Sequence, residues 1–291
     1  MASIVPVTRR ELLRLGTLTV VGAAALAGFG VKPSDASGPT YCNSDRPTTP
    51  SDALNALLGS YDGTMGNVLW AGTTTTPPGT TPPGLDTGRR DCVAVAGQAQ
   101  TPYAAILSCV DSRVPPEDLF YAGVGDLFVA RVAGNSVVPI LQDSLRYGTD
   151  NLGALVLFVL GHSNCGAVSA AVSYYLEHIA RSSSESSVPE VFSPHFHISD
   201  PDFAFIPPIL PAVKVARKIV RKAGGNPDDP NQVIPVATNQ HVILTVEYLS
   251  SQKPFNRLIR DNKLIVTGGV YNLASYIVNS PPPPGYPGTL S

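Results

Sequence analysis

The sequence predicts an α/β fold in which helices flank a central, mostly parallel, four-stranded β-sheet, with a possible fifth strand at one edge. Two short apolar runs, within residues 104–113 and 155–165, end in small and polar residues. Strands that are buried on both faces of a parallel sheet have this appearance. Segments with helical spacing alternate with the apolar runs, and this order indicates βαβ units.

The first 36 residues have the pattern of an export signal. Arg9 and Arg10 precede an apolar stretch over residues 15–31, and small residues up to Ala36 suit a cleavage site. This pattern resembles a twin-arginine signal peptide, so we expect export to the periplasm, the cell wall or the medium. The alternative is a retained membrane anchor, for which the run is short. After cleavage we expect no stable membrane span.

Composition divides the rest of the chain into three parts. Residues 37–94 predict an N-terminal arm with one short helix at 51–58, for which Ser or Asp is the N-cap candidate, and a Thr/Pro-rich loop. The α/β domain follows over residues 95–280 and is interrupted by a predicted surface insertion at 181–205. A Pro-rich tail, 281–291, is expected to be extended and disordered.

Within the α/β domain, apolar periodicity assigns the elements. The predicted strands lie within residues 104–113, 126–135, 155–160 and 263–271, and residues 274–278 are the candidate for the edge strand. The predicted helices are a short one within 114–120 and longer ones at 144–151, 166–180, 209–223 and 239–260, the last with a break at Pro254.

Charge and cysteine content exclude several classes of protein. A net charge of −2 with 14% charged residues does not favour binding to nucleic acid or to an anionic membrane. Four cysteines are too few for a scaffold held by disulfides. The sequence has no C-x-x-C motif, which argues against a redox protein. Cys42 and Cys92 could pair in an oxidising compartment or remain separate thiols, because connectivity is not readable from sequence.

Five polar residues follow two of the predicted strands. Cys109, Asp111 and Arg113 end the first apolar run, and His162 and Cys165 end the third strand. Ligands of open α/β sheets bind at the carboxyl ends of the strands, so these side chains should meet in one crevice. Two thiolates and an imidazole suit a catalytic zinc whose fourth position stays open. Alone, each cysteine would more simply be a buried core residue, and His162 a hydrogen-bonded histidine at a strand end. The corresponding alternative for Asp111 and Arg113 is an ordinary salt bridge.

Two further histidines lie close together in the sequence. His195 and His197 lie in a Pro/Ser-rich segment with no third ligand nearby. We therefore expect them in a solvated loop rather than in a second metal site.

The two motifs C-x-D-x-R and H-x-x-C, together with the segments around them, resemble those of β-class carbonic anhydrases. The resemblance covers about residues 95–175 and 208–272. It implies a β-carbonic anhydrase-like fold and a zinc ion held by Cys109, His162 and Cys165. It also implies that zinc-bound hydroxide reversibly hydrates CO2 to bicarbonate and a proton, in a homodimer or homotetramer.

The resemblance further implies roles for three polar residues. Asp111 and Arg113 are the candidate catalytic residues: Arg113 would hold the carboxylate, which would accept a hydrogen bond from the zinc hydroxide. Gln100 is the candidate for polarising an oxygen of CO2. Tyr103, Phe120 and Val132 could line the site, although apolar residues near a motif are more often plain core.

Two alternatives use the same site. The first is hydrolysis of CS2 or COS, and the second is a non-catalytic, zinc-stabilised bicarbonate sensor. An intact pair of Asp111 and Arg113 argues against the sensor. In some carbonic anhydrases of this class the equivalent aspartate closes the zinc site as a fourth ligand, and the sequence leaves open which state this chain adopts.

Overall fold

The structure, a computed structural model, describes residues 47–58, 100–120, 122, 125–180, 182–192 and 203–279. These residues all belong to one compact unit, Tyr41–Ser291. The predicted signal peptide, the Pro-rich tail, the loop that follows the short helix, Cys42 and Cys92 lie outside the described residues. Across the described residues, no helix combines the length and apolarity that a membrane span requires.

The described elements alternate as predicted. The strands are β1 (Ala104–Ser108), β2 (Leu127–Arg131), β3 (Val156–His162), β4 (Ile265–Tyr271) and β5 (Val278–Asn279). The helices are α1 (Pro50–Leu58), α2 (Pro116–Leu119), α3 (Pro139–Arg146), α4 (Gly166–Tyr174), α5 (Ile206–Lys222), α6 (Pro230–Ser251) and α7 (Phe255–Arg260).

The five strands form a single sheet in the order β2-β1-β3-β4-β5. The first four strands are parallel, and β5 pairs antiparallel with Val270 and Tyr271 at the end of β4. The predicted mostly parallel sheet with a fifth edge strand is therefore confirmed. The edge strand is only two residues long and starts at Val278, the last residue of its predicted segment.

The central strands β1 and β3 are apolar up to Ser108 and His162, the residues that end them, and their burial explains this pattern. Every residue of both strands is buried. Ala105 and Leu107 of β1 face a core cluster with α3, α6 and α7, whereas Ala104 and Ile106 face a second cluster on the other side with α1 and α2. Because successive side chains point to opposite faces, a sheet covered on both sides needs no polar alternation.

Four helices begin earlier than predicted. Helix α3 starts at Pro139 instead of residue 144, and α6 starts at Pro230 instead of 239. Proline fits the first helical turn, where its missing N–H needs no partner, and it therefore marks these starts. Helix α5 starts at Ile206 instead of 209. In α1, Thr49 and not Ser51 or Asp52 caps the helix, because its Oγ1 accepts from the Asp52 amide.

The predicted surface insertion is partly anchored. Its described first half, residues 182–192, is here called the strap. Val188 and Phe192 of the strap are buried. Three cations of α5 hold the strap: Lys214 Nζ donates to the Val188 carbonyl at 2.6 Å, Arg217 pairs with Glu185, and Lys218 pairs with Glu190. This half of the insertion is therefore packed against α5 and is not a free loop.

Candidate metal centre

Three candidate ligands meet at the carboxyl edge of the sheet. Ser108, the last residue of β1, is in register with Leu160 of β3, so Cys109 emerges beside the end of β3 at His162. Cys165 follows as the N-cap residue of α4. The ligand atoms of Cys109, His162 and Cys165 all lie within 4.8 Å of one another. Within the described ranges, no other such group of His, Cys, Asp or Glu side chains was found.

His162 presents one nitrogen to this group. Its ring is fully buried, and Nδ1 lies 3.0 Å from the Ser163 carbonyl oxygen. A carbonyl oxygen only accepts, so Nδ1 carries the proton and Nε2 is left with its lone pair. Nε2 is buried and has no hydrogen-bond partner among the described residues. An unpaired buried nitrogen is costly, and a metal ion at this position would satisfy it.

The two cysteines are buried, and their pKa values are shifted in opposite directions. The Cys165 thiol donates to the Cys109 sulfur, which lowers the pKa of Cys109 and raises that of Cys165. The Gly134 amide, 3.4 Å from the Cys109 sulfur, lowers the pKa of Cys109 further. Burial of both thiols acts in the opposite direction. Cys109 is therefore the thiolate that this environment favours first, and neither described cysteine is in a disulfide.

Asp111 is held by Arg113. Arg113 Nε donates to Asp111 Oδ1 at 2.9 Å, Nη2 donates to Oδ2 at 2.7 Å, and the Arg113 amide also donates to Oδ1 at 3.0 Å. These bonds keep the pKa of Asp111 well below its usual value, so the carboxylate is ionised. Oδ2 lies 3.8 Å from His162 Nε2, so the carboxylate borders the ligand group while it remains paired with Arg113.

Arg131 is a site residue that the sequence analysis missed. It ends β2, and its guanidinium donates to the Cys109 carbonyl at 2.9 Å and to the Asp111 carbonyl at 2.6 Å. These bonds fix the backbone that carries a metal ligand and the catalytic candidate. Its position at the carboxyl end of a neighbouring strand was the available signal.

The remaining candidates lie elsewhere. Gln100 is exposed and precedes the amino end of β1, whereas Cys109 follows the carboxyl end. The structure therefore does not bring Gln100 to the ligand group within this chain, and its role stays a prediction. Tyr103 and Phe120 belong to the core cluster beside α1 and α2, and Val132 packs against the other cluster. His195 and His197 lie outside the described residues.

The donor set fits a zinc ion. Two thiolates and a neutral imidazole are soft to borderline ligands, and three protein ligands leave a fourth position for water or substrate. The group is buried, its histidine tautomer is fixed by a backbone carbonyl, and its sulfur ligand receives a backbone hydrogen bond. Such outer partners are typical of metal sites.

The site lies in the part of the chain that is similar to known proteins. The carbonic anhydrase family model matches residues 104–197, which include all five predicted motif residues and extend into the insertion. The chain is 45% identical over 76 residues to a carbonic anhydrase of Mycolicibacterium smegmatis, which is 26% of this chain and 37% of that protein. It is 44% identical over 73 residues to carbonic anhydrase 2 of Mycobacterium tuberculosis, and this match covers 25% of this chain and 35% of that protein.

Among solved structures, a tetrameric β-carbonic anhydrase of Sordaria macrospora is similar, with a TM-score of 0.48 and 19% identity over 65% of this chain and 84% of that chain. The sequence matches span little more than a third of the two mycobacterial relatives. Residues 104–197 match the carbonic anhydrase family model, and the predicted resemblance to carbonic anhydrases is confirmed for this part of the chain.

Proposed function

We propose that the protein is a zinc-dependent carbonic anhydrase, a lyase that reversibly hydrates CO2 to bicarbonate and a proton. One observation carries the proposal: the buried group of Cys109, His162 and Cys165 has an unpartnered nitrogen and lies beside an ionised, arginine-held carboxylate. Carbonic anhydrase matches over residues 104–197 support the same reaction.

The three ligands would hold zinc, which when bound supplies the acidity that makes water a nucleophile near pH ~7. Asp111 then acts as a pure acceptor, because its pKa is low and it carries no proton at working pH. By accepting a hydrogen bond from the attacking water, Oδ2 leaves the water lone pair directed at the carbon of CO2.

Arg113 and Arg131 keep that acceptor in place. Two side-chain bonds from Arg113 fix the plane of the Asp111 carboxylate, and Arg131 fixes its backbone carbonyl. Arg113 Nη2 also lies 3.4 Å from the Asn164 carbonyl oxygen and so links the two motif loops. Fixed geometry of this kind favours the aligned reaction over random encounters.

The test is stopped-flow CO2 hydration, with zinc content measured in the same purified sample. We expect about one zinc per chain and fast, pH-dependent turnover, and Cys165→Ser should lose both. Zinc without CO2 turnover would contradict the proposal and direct the search to CS2 and COS or to a bicarbonate sensor. A protein that folds without binding zinc would refute the metal centre itself.

We propose that the protein assembles as a homodimer or homotetramer. Ile140 of α3 is 71% exposed, Val110 beside the metal centre is 54% exposed, and Tyr147 is 48% exposed. An interface between copies of this chain would remove these side chains from water, provided that they belong to contiguous apolar patches. Size-exclusion chromatography with light scattering tests this, and a monomer at micromolar concentration would contradict it.

We propose export through the twin-arginine route. The pair Arg9 and Arg10 before an apolar stretch supports this proposal. Replacing both arginines by lysine should retain the protein in the cytoplasm, as measured by fractionation and blotting. Unchanged export of this variant would contradict the proposal.

A further inference from the structure

His241 is a buried histidine that the proposed chemistry does not use. It lies in α6, is 1% exposed, and its Nε2 is 2.9 Å from the carbonyl oxygen of Gly134. Burial lowers the pKa of the ring to about 4, so the ring is neutral at physiological pH. A carbonyl oxygen accepts, so Nε2 is the nitrogen that carries the proton and donates.

Gly134 connects this bond to the metal centre. Its carbonyl oxygen accepts the hydrogen bond from His241 Nε2, while its amide lies 3.4 Å from the Cys109 sulfur. Gly134 has φ 68°, and a Cβ there would lie 2.7 Å from Ile209 Cδ1. The positive φ therefore favours glycine at this turn, and glycine is also the residue whose backbone is freest to move.

Two further side chains, those of Phe192 and Ser136, lie beside the His241 ring. The ring of Phe192, at the end of the strap, lies 6.1 Å from the imidazole between centroids. Ser136 Oγ lies 3.3 Å from Nε2. A buried ring with contacts on several sides keeps one rotamer, so its N–H has a fixed direction.

We propose that His241 is a positioning residue for the metal centre: by holding the Gly134 carbonyl it directs the Gly134 amide at the sulfur of Cys109. This inference rests on the metal centre of the proposed function, not on the identity of the substrate. A backbone amide that donates to a metal-bound thiolate orients the ligand and moderates its charge. Loss of such an outer partner typically costs about 10–100-fold in metal affinity or activity.

The experiment compares three variants of the zinc-loaded protein. His241→Leu removes the donor, His241→Gln places an amide N–H near the position of Nε2, and Thr245→Val removes another buried polar atom one turn along α6. Thr245 is fully buried and its Oγ1 makes no hydrogen bond within the described part of the chain, so it is a matched control. Zinc transfer to a chromogenic chelator is timed for each variant.

We expect His241→Leu to release zinc about 10–100-fold faster than the parent. His241→Gln should release it within a few-fold of the parent rate, and Thr245→Val should match the parent. In the cobalt-substituted protein, the thiolate-to-cobalt charge-transfer band should shift in His241→Leu and stay in place in Thr245→Val. A purely structural role would not move this band.

Several results would overturn the inference. Equal zinc release from His241→Leu and the parent would refute it, as would equally fast release from Thr245→Val. Release from His241→Gln as fast as from His241→Leu would show that the donated hydrogen bond is not the cause. If His241→Leu fails to fold, His241→Asn replaces it, because its shorter amide does not reach the Gly134 carbonyl. A parent without zinc would refute the metal centre, and with it this inference.

Discussion

Two arginines of this molecule bind carboxylates in opposite environments. Arg113 has a side chain that is 54% exposed and pairs with Asp111, two residues away. Arg217 has a side chain that is 5% exposed and pairs with Glu185 of the strap and with Asp228 in the loop between α5 and α6. Its guanidinium also lies 5.3 Å from the ring centre of Tyr175.

The difference shows that environment decides what an ion pair contributes. An exposed pair adds little stability, because water competes for both charges. Arg113 therefore matters for the direction and ionisation of one carboxylate. Arg217 ties three separate segments together from a buried position, where losing the cation leaves its partners without their bonds. One arginine serves chemistry, and the other serves the fold.

The largest expected effect is on activity and concerns Asp111, the partner of Arg113. Asp111→Asn should retain zinc but lower CO2 hydration by about 10²–10³-fold, the usual range for loss of one hydrogen-bonding group directed at the reacting atoms. The amide can no longer act as a pure acceptor toward the attacking water. Stopped-flow rates and zinc content in one sample test this. Loss of zinc instead would identify Asp111 as a metal ligand in the resting protein.

The next effect concerns His241, which lies between the strap and the metal centre. Its pKa falls from 6.5 to about 4 on burial, so the unfolded chain binds a proton in this pH window while the folded chain does not. Stability is therefore fully present above pH 6.5 and decreases toward pH 4, by about 3 kcal/mol in total.

His241→Gln has no such titration and should lose less stability on acidification. Urea unfolding at pH 7 and pH 4.5 measures the difference. His178→Gln, a change at an exposed ring outside the core, should keep the pH dependence of the parent. An unchanged pH dependence in His241→Gln would contradict the assignment of this effect to His241.

A matched pair of substitutions sharpens the comparison of the two arginines. Arg217→Leu should lower the free energy of unfolding by about 2 kcal/mol, because its hydrogen bonds to charged partners are lost, and should leave CO2 hydration nearly unchanged. Arg113→Leu should do the reverse, with almost no change in stability and a large loss of activity. Urea unfolding measures the stability of both variants, and stopped-flow rates measure their CO2 hydration. Equal stability losses would show that burial does not separate them.

The smallest effect is expected at the outer pair that also holds the strap. Lys218 and Glu190 have side chains that are 53% and 51% exposed. Lys218→Ala should therefore change the free energy of unfolding by less than about 0.5 kcal/mol, and added salt should reduce even this difference. A loss comparable to that of Arg217→Leu, measured by the same urea unfolding, would mean that the strap depends on surface charge.

Much of the site could be predicted because its determinants are local. The motif residues directly follow buried strands, and a parallel sheet brings such strand ends to one edge whatever the loops do. Asp111 and Arg113 are two residues apart, so their pairing follows from the short turn that carries them. The sheet itself was predictable because β1 and β3 are apolar up to the polar residue that ends each strand, Ser108 and His162.

The sequence by itself therefore determined the sheet and predicted the candidate ligand set and the pair of Asp111 and Arg113. The tertiary structure alone decided the contacts between residues far apart in the chain: Arg131 on the backbone of Cys109 and Asp111, Arg217 on the strap, and His241 on Gly134. His241 and Gly134 are 107 residues apart. No local pattern encodes such a pair, because it forms only when α6 packs across the sheet and excludes water from both partners.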